Sequence, residues 1–256
     1  MKVRRHPTDG GLGPRVRVRP WAFDGGVVHL ALADQAIVPS VDEVRGWVDA
    51  LTDPDRAAGD AARAVRTGAL FPDAAARFAD AGFVVIDTLA LLRIDLTATT
   101  TTERADTAAL RVGRHREASL VDRAAFGDPW GNDARDLGEI RRATPSHRAR
   151  VRTATGAPPW RSPIVAFAIS GAASGQGYLQ RLAVSPDHQG QGHGRALAVD
   201  ALAWMRSRRL RQGLVNTAVD NHRALGLYES LGFQRLPEHL LVMQLDVLQL
   251  DAPRDR

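Results

Sequence analysis

Leu182-Ala183-Val184-Ser185-Pro186-Asp187-His188-Gln189-Gly190-Gln191-Gly192-His193-Gly194-Arg195 joins two different patterns. An apolar run at 178–184 precedes it, and an amphipathic run at 196–205 follows it. A strand, a glycine-rich turn and a helix start, in that order, can make an anion site. Glycine lets the backbone approach a phosphate, several N–H groups point the same way, and the helix dipole adds partial positive charge. The stretch lacks the Gly-Lys-Ser/Thr ending of a triphosphate loop and the Gly-x-Gly-x-x-Gly opening of a dinucleotide loop. What remains is Gln-x-x-Gly-x-Gly, carried by Gln189, Gly192 and Gly194. The plain alternative for such a turn is a tight connection with no ligand.

A second patterned block follows: Asn216-Thr217-Ala218-Val219-Asp220-Asn221-His222-Arg223-Ala224-Leu225-Gly226-Leu227-Tyr228-Glu229-Ser230-Leu231-Gly232-Phe233. It reads as a strand, a helix and a glycine-ended turn. The two blocks, in this order and at this separation, resemble the GCN5-related N-acetyltransferase (GNAT) family over residues 110–250. The nearest likeness is to its ribosomal-protein-alanine-acetyltransferase-like members. The resemblance implies an α+β fold with a largely antiparallel central sheet flanked by helices. It implies acetyl-CoA as cosubstrate and a primary amine as acceptor. Leu182, Ala183 and Val184 are expected to offer backbone groups to the pantetheine arm, with an N–H near Val184 polarising the thioester carbonyl. Gln189, Gly190, Gln191, Gly192, His193, Gly194 and Arg195 are expected to hold the pyrophosphate. Asn221 would bind farther along the arm, and Tyr228 would sit near the sulfur as general acid.

Acetyl transfer from a thioester to an amine needs a held cosubstrate, a neutral amine, a stabilised tetrahedral oxyanion and a protonated leaving thiolate. A free tyrosine has a pKa of about 10 against about 8.5 for a thiol, a mismatch of roughly 2 kcal/mol that hydrogen bonding can offset. The plain alternative for Tyr228 is an aromatic filling core. The general base departs from the family pattern. Asn216 stands where the ribosomal-protein-type members carry a glutamate, and an amide takes no proton near neutral pH. At pH 7 a lysine-like amine loses about 4.6 kcal/mol to become neutral, an α-amine only about 1. The expected acceptor is therefore a low-pKa amine, such as a protein or peptide α-amine or a small-molecule amine, or else the base lies elsewhere. Glu139 is the first acid to test, against the alternative of a solvated helix residue. A catalytically silent acyl-CoA-binding regulatory module is the other reading that Asn216 leaves open.

His188 and His193 flank the glycines and read as loop and helix-start residues rather than as metal ligands; no metal is expected. Trp130 and Trp160, beside glycine or proline, read as packing residues with a secondary claim on the acceptor cleft. The net charge is +5 and Lys2 is the only lysine among 34 basic residues. That skew, with no nucleic-acid motif and 5% aromatic content, argues against nucleic acid, while excess positive charge suits a polyanionic cosubstrate. The absence of cysteine excludes disulfides, thiolate metal sites and a cysteine nucleophile. No apolar run reaches the length of a membrane span and the amino end has no signal-like core, so a cytoplasmic protein is the default expectation. The oligomeric state is not legible.

The 256 residues contain a seam. Residues 97–107 form a threonine-rich run without apolar periodicity and read as a linker. Upstream, residues 64–83 align without gaps to 214–233 at an offset of 150, with Gly82-Phe83 matching Gly232-Phe233 and Phe78 falling at Tyr228. The reading is a duplication: a shortened, degenerate GNAT-like module at 1–96, the linker, a catalytic domain at 108–250 and a tail at 251–256, the plain alternative for the first part being an unrelated small α+β domain. The first module lacks Gln-x-x-Gly-x-Gly and is expected to bind no cofactor. It carries an expected strand at 15–19 and helix at 41–51. In the second, strands are expected at 110–112, 148–152, 164–170, 178–184 and 214–219. Helices are expected at 117–126, with Leu120, Val121 and Ala124 on the buried face, and at 223–231.

Overall fold

The computed structural model describes residues 12–21, 24–53, 61–97, 105–127, 130–154 and 162–247. Within them the chain runs β1 (Val16–Trp21), β2 (Asp24–Leu32), α1 (Val41–Thr52), β3 (Ala64–Thr67), α2 (Pro72–Asp80) and β4 (Val84–Asp95). It continues with β5 (Ala108–Ala109), α3 (His115–Phe126), α4 (Ala134–Arg142), β6 (Ser146–Thr153), β7 (Ile164–Ala173) and β8 (Gln176–Val184). α5 (His193–Ser207), β9 (Gln212–Ala218), α6 (His222–Ser230) and β10 (Gln234–Asp246) complete it. The elements fall into two compact units, one of Met1–Ala90 with Pro237–Arg256, the other of Leu91–Leu236.

In the first unit β2 pairs antiparallel with β1 and parallel with β3, and β3 takes β10 as its other neighbour, antiparallel, from Gln244↔Arg66 to Asp246↔Ala64. The sequence reading kept 108–250 together. The structure puts the end of β10 with the first unit, because β3's second edge finds its backbone partners there. Helix α1 carries apolar residues at helical spacing, Val44, Trp47, Val48 and Leu51, and buries all four. They meet Leu30, Val65, Leu70 and Phe78, each fully buried. Each such burial contributes about 1.5–3 kcal/mol. Ser40 starts α1 with a capping box: its hydroxyl accepts from the Glu43 N–H while the Glu43 carboxylate returns to the Ser40 N–H.

In the second unit β7 lies between β6 and β8, antiparallel to both, and is buried along nearly its whole length. β8 runs parallel to β9, with α5 as the crossover. Ala118 and Val121 of α3, with Leu137 of α4, pack on Ala149, Val151, Phe167, Ile169 and Ala183 from one side. Two details differ from the sequence reading. The strand expected at 110–112 lies earlier: Ala108–Ala109 pair with β6, the Leu110 N–H donates to the Ala149 carbonyl at 3.1 Å, and the chain then makes a 3-10 turn at Val112–Arg114, with Val112 at the surface. On α3 the buried face is His115, Ala118, Val121 and Asp122, while Leu120 is 65% exposed and Ala124 is exposed. Asp122 faces inward because its carboxylate finds Arg181 and Asn132 there.

The repeat is visible in the backbone of each unit. α2 and α6 begin and end 150 residues apart. Both stop at a glycine of positive φ, +100° at Gly82 and +93° at Gly232. The Phe83 N–H donates to the Phe78 carbonyl at 3.0 Å, and the Phe233 N–H donates to the Tyr228 carbonyl at 3.1 Å. Phe78 meets Phe83 edge-on at 5.1 Å, as Tyr228 meets Phe233 at 5.7 Å. Residues 98–104 of the expected linker and the tail at 251–256 lie outside the described residues.

Candidate active site

Strand β8 follows β7 throughout but accompanies β9 only from Gln176↔Gln212 to Tyr178↔Leu214. Just beyond, the register with β7 slips: Leu179 faces Ser170 and Arg181 faces Ile169, leaving Gln180 as a one-residue bulge. A bulge bends its strand and adds twist, so β8 leaves β9 where the bulge sits. Among the described residues, the rest of β8, including Leu182, Ala183 and Val184, has no strand paired on its β9 side. Backbone N–H and C=O groups require partners. An open edge at the end of a parallel pair is therefore a template for an extended ligand. Side chains alternate across it: Ala183 joins the core beneath α3, while Leu182 and Val184 lie 3.7 and 3.6 Å from where a Cβ on Gly194 would stand.

The chain then turns through Pro186–His188 into the glycines. Gly190 and Gly192 sit at φ +78° and +81°, a region that L-residues enter at a cost of about 1–2 kcal/mol. Neither has any atom within 4 Å of a built Cβ, so backbone conformation and not crowding requires glycine here. Gly192 is the N-cap of α5 and no side chain caps that helix. α1 and α4 each carry a capping box instead. Gly192 therefore offers no side chain to the first N–H groups of α5, which helix geometry leaves without intrahelical partners. Gln191, Gly192 and Arg195 are exposed. Gln189 braces the turn: its amide donates to the Val184 carbonyl at 3.3 Å, and its oxygen accepts from Arg223 of α6. Gln191 donates to the Asp187 carbonyl, and Arg195 donates to the Ser230 hydroxyl.

The remaining expected residues fall as follows. Asn221 is the N-cap of α6, its Oδ1 accepting from the Ala224 N–H at 3.1 Å, a structural duty that explains an asparagine there. Tyr228 is 5% exposed; burial pushes its phenol well above the ordinary tyrosine range, and the Arg181 cation works against that rise. Asn216 is exposed on β9. Glu139 of α4 accepts from Arg135 one helical turn away at 3.1 Å. His188 and His193 come together, ring centroids 6.2 Å apart. The His193 Nδ1 accepts from Arg152 at 3.0 Å, and burial lowers its pKa. Among the described residues no three potential ligands cluster for a metal. Trp130 offers its carbonyl to Arg181, and Trp160 lies outside the described residues.

Sequence reasoning missed Arg223, Arg152 and the Asp122–Arg181 pair. The only available signal for the pair was an aspartate among the apolar positions of α3.

Residues 150–233 match the acetyltransferase (GNAT) family. They span the bulged strand, the glycine turn and the helix that carries Tyr228. The segment belongs to the GNAT family. The mycothiol acetyltransferase of Acidothermus cellulolyticus is 45% identical over 58 residues, which are 23% of this chain and 18% of that protein's length. A GCN5-related N-acetyltransferase structure from Sphaerobacter thermophilus superposes with a TM-score of 0.60 at 15% identity, over 90% of this chain and 75% of its own. A tandem GNAT protein from the clavulanic acid biosynthesis pathway does so with a TM-score of 0.58 at 14% identity, over 90% and 77%. The GNAT fold, a mixed αβ architecture with a mostly antiparallel sheet flanked by helices, is the fold of this chain.

Proposed function

We propose that the chain is an acetyl-CoA-dependent N-acetyltransferase whose reaction is run by the second unit. The observation that carries this is the opening of β8 away from β9 beyond Tyr178, ending at a helix start with no side-chain cap. Acetyl-CoA supplies a thioester whose C–S bond breaks as the acceptor nitrogen bonds the carbonyl carbon. The edge from Leu182 to Val184 holds the pantetheine amides by strand-like hydrogen bonds, and the Val184 N–H polarises the carbonyl. Gln189, Gly190, Gln191, Gly192, His193, Gly194 and Arg195 cradle the diphosphate, with the α5 dipole behind them. Arg223, fixed on Gln189, adds positive charge beside that cradle. The spare Nδ2 of Asn221 donates farther along the arm, and Tyr228 gives its proton to the departing thiolate. With Asn216 in place of an acid and Glu139 paired to Arg135, the acceptor arrives with a low pKa, and its proton passes to solvent. The likeness to a mycothiol acetyltransferase supports trying small-molecule amines beside peptide α-amines as acceptors.

The first unit binds no cosubstrate on this reading. Its corresponding helix start is filled by Ser40 and by the Glu43 carboxylate, an internal anion where a phosphate would sit. Titration calorimetry with acetyl-CoA is expected to give one site per chain; no binding would sink the proposal, and two sites would sink the assignment of the first unit. Thiol release is then followed with an alanine-initiated peptide, an N-blocked lysine peptide and a small primary amine. Burial of Tyr228 favours one competing reading, a silent acyl-CoA-binding module. That reading predicts binding without release for every amine.

A further inference from the structure

Asp122 of α3 is fully buried, and its carboxylate is saturated. Arg181 donates Nε to Oδ1 at 2.7 Å and Nη2 to Oδ2 at 2.8 Å. Asn132 donates its backbone N–H to Oδ2 at 2.7 Å and its amide at 3.1 Å. The same Arg181 Nη2 donates to the Trp130 carbonyl at 2.8 Å, and the guanidinium lies over the Phe126 ring, 3.5 Å from its centroid. Arg181 is also the residue at which β8 regains register with β7 after the bulge, one position before Leu182. One ion pair therefore joins three things: the end of α3, the backbone at 130–132, and the strand at the point where it parts from β9.

We infer that the Asp122–Arg181 pair is a positioning device for the acceptor, setting the wall at 130–132 against the strand edge that holds the thioester. The inference rests on the acetyl-transfer reading. On that reading Leu182, Val184 and the glycine turn hold the cosubstrate on the α5 side of β8. The amine then reaches the carbonyl from the α3 side, where Arg181 and Ala183 project. A buried pair suits this duty better than apolar packing, because a bidentate guanidinium–carboxylate contact fixes direction as well as distance. Replacing such a pair by apolar groups of similar size is often neutral or stabilising, so stability alone does not account for it. Asp122 acts through the wall it holds; Arg181 does so too, and its charge also lowers the pKa of the Tyr228 phenol, so kcat is read beside KM.

The test uses the full chain in three variants. Arg181→Lys keeps the charge and loses the bidentate geometry. Asp122→Leu combined with Arg181→Met removes the pair and keeps the volume. Asn132→Ala removes only the 3.1 Å bond and serves if the other two do not fold. Acetyl-CoA affinity, thermal midpoint, and kcat and KM for the alanine-initiated peptide are measured for each. The expected result for the first two is a KM for the peptide raised at least tenfold and acetyl-CoA affinity within twofold of wild type, with kcat lowered less than threefold in Arg181→Lys, which keeps the charge that acts on Tyr228. Asn132→Ala is expected to raise that KM about threefold. A folded paired variant with wild-type peptide KM would overturn the inference, as would an unchanged KM in Asn132→Ala. A weakened acetyl-CoA affinity at unchanged peptide KM would overturn it too. Failure of the wild-type chain to bind acetyl-CoA or to acetylate any amine would instead remove the acetyl-transfer reading beneath it.

Discussion

At the scale of single residues, position decides more than identity. Tyr228 and Phe78 occupy equivalent places and make equivalent edge-on contacts, yet only one carries a proton to give. Tyr228→Phe keeps the ring and its packing. It should slow thiol release by about 100-fold, within the usual range for a general acid, and leave acetyl-CoA affinity within twofold; normal turnover would remove the role. Gly192→Ala places a Cβ in open space but holds it at φ +81°. The expected loss is about 1–2 kcal/mol of stability, with weaker acetyl-CoA binding as the turn relaxes. A melt and a titration of the same sample check both.

At the scale of elements, each unit repeats a strand, helix, parallel strand and helix in turn, and the first helix starts differently in the two. α5 begins bare at Gly192, and α1 begins closed by Ser40 and Glu43. β2 carries a second consequence. His29 faces Arg19, whose Nε lies 3.5 Å from the His29 Nδ1, and Trp21, and Arg66 of β3 is close by. Burial, with these two cations, lowers its pKa from 6.5 to about 3. Below pH 6.5 the unfolded chain takes up a proton that the folded chain refuses, so stability falls with pH between about 6.5 and 3. From pH 7 to pH 5 the expected loss is about 1–2 kcal/mol. His29→Gln should flatten that slope in denaturant melts; an unchanged slope would assign it to other groups.

At the scale of the whole molecule, the sequence divides at 97–107 while the compact units divide at 90/91 and 236/237. The second unit therefore owns Leu91–Asp95 of β4. There Leu92 and Ile94 are almost fully buried, Ile94 lies against Gly213 and Gly232, and the Leu96 N–H donates to the Arg211 carbonyl at 2.9 Å. A chain beginning at residue 97 loses these side chains at about 2–5 kcal/mol each, on the order of a domain's entire stability. We expect it to be unfolded by circular dichroism where the full chain is folded. A cooperative melt of residues 97–256 near the full-chain temperature would contradict this.

What the sequence determined by itself is local. Glycine at 190, 192, 82 and 232, the apolar spacing of α1, and the Gly-Phe ends of α2 and α6 act over one or two turns of chain, and each was legible there. The repeat was legible because it is a comparison of such local patterns. The tertiary structure alone decided which strand β10 joins, where β8 bulges and parts from β9, and which face α3 turns inward. The first and last depend on a partner far along the chain, Arg66 for Gln244 and Arg181 for Asp122, and the bulge depends on how Leu179 meets Ser170 across the β7–β8 pair. A buried polar group takes whatever partner the packed fold brings within about 3 Å, and no spacing of neighbours along the chain specifies it.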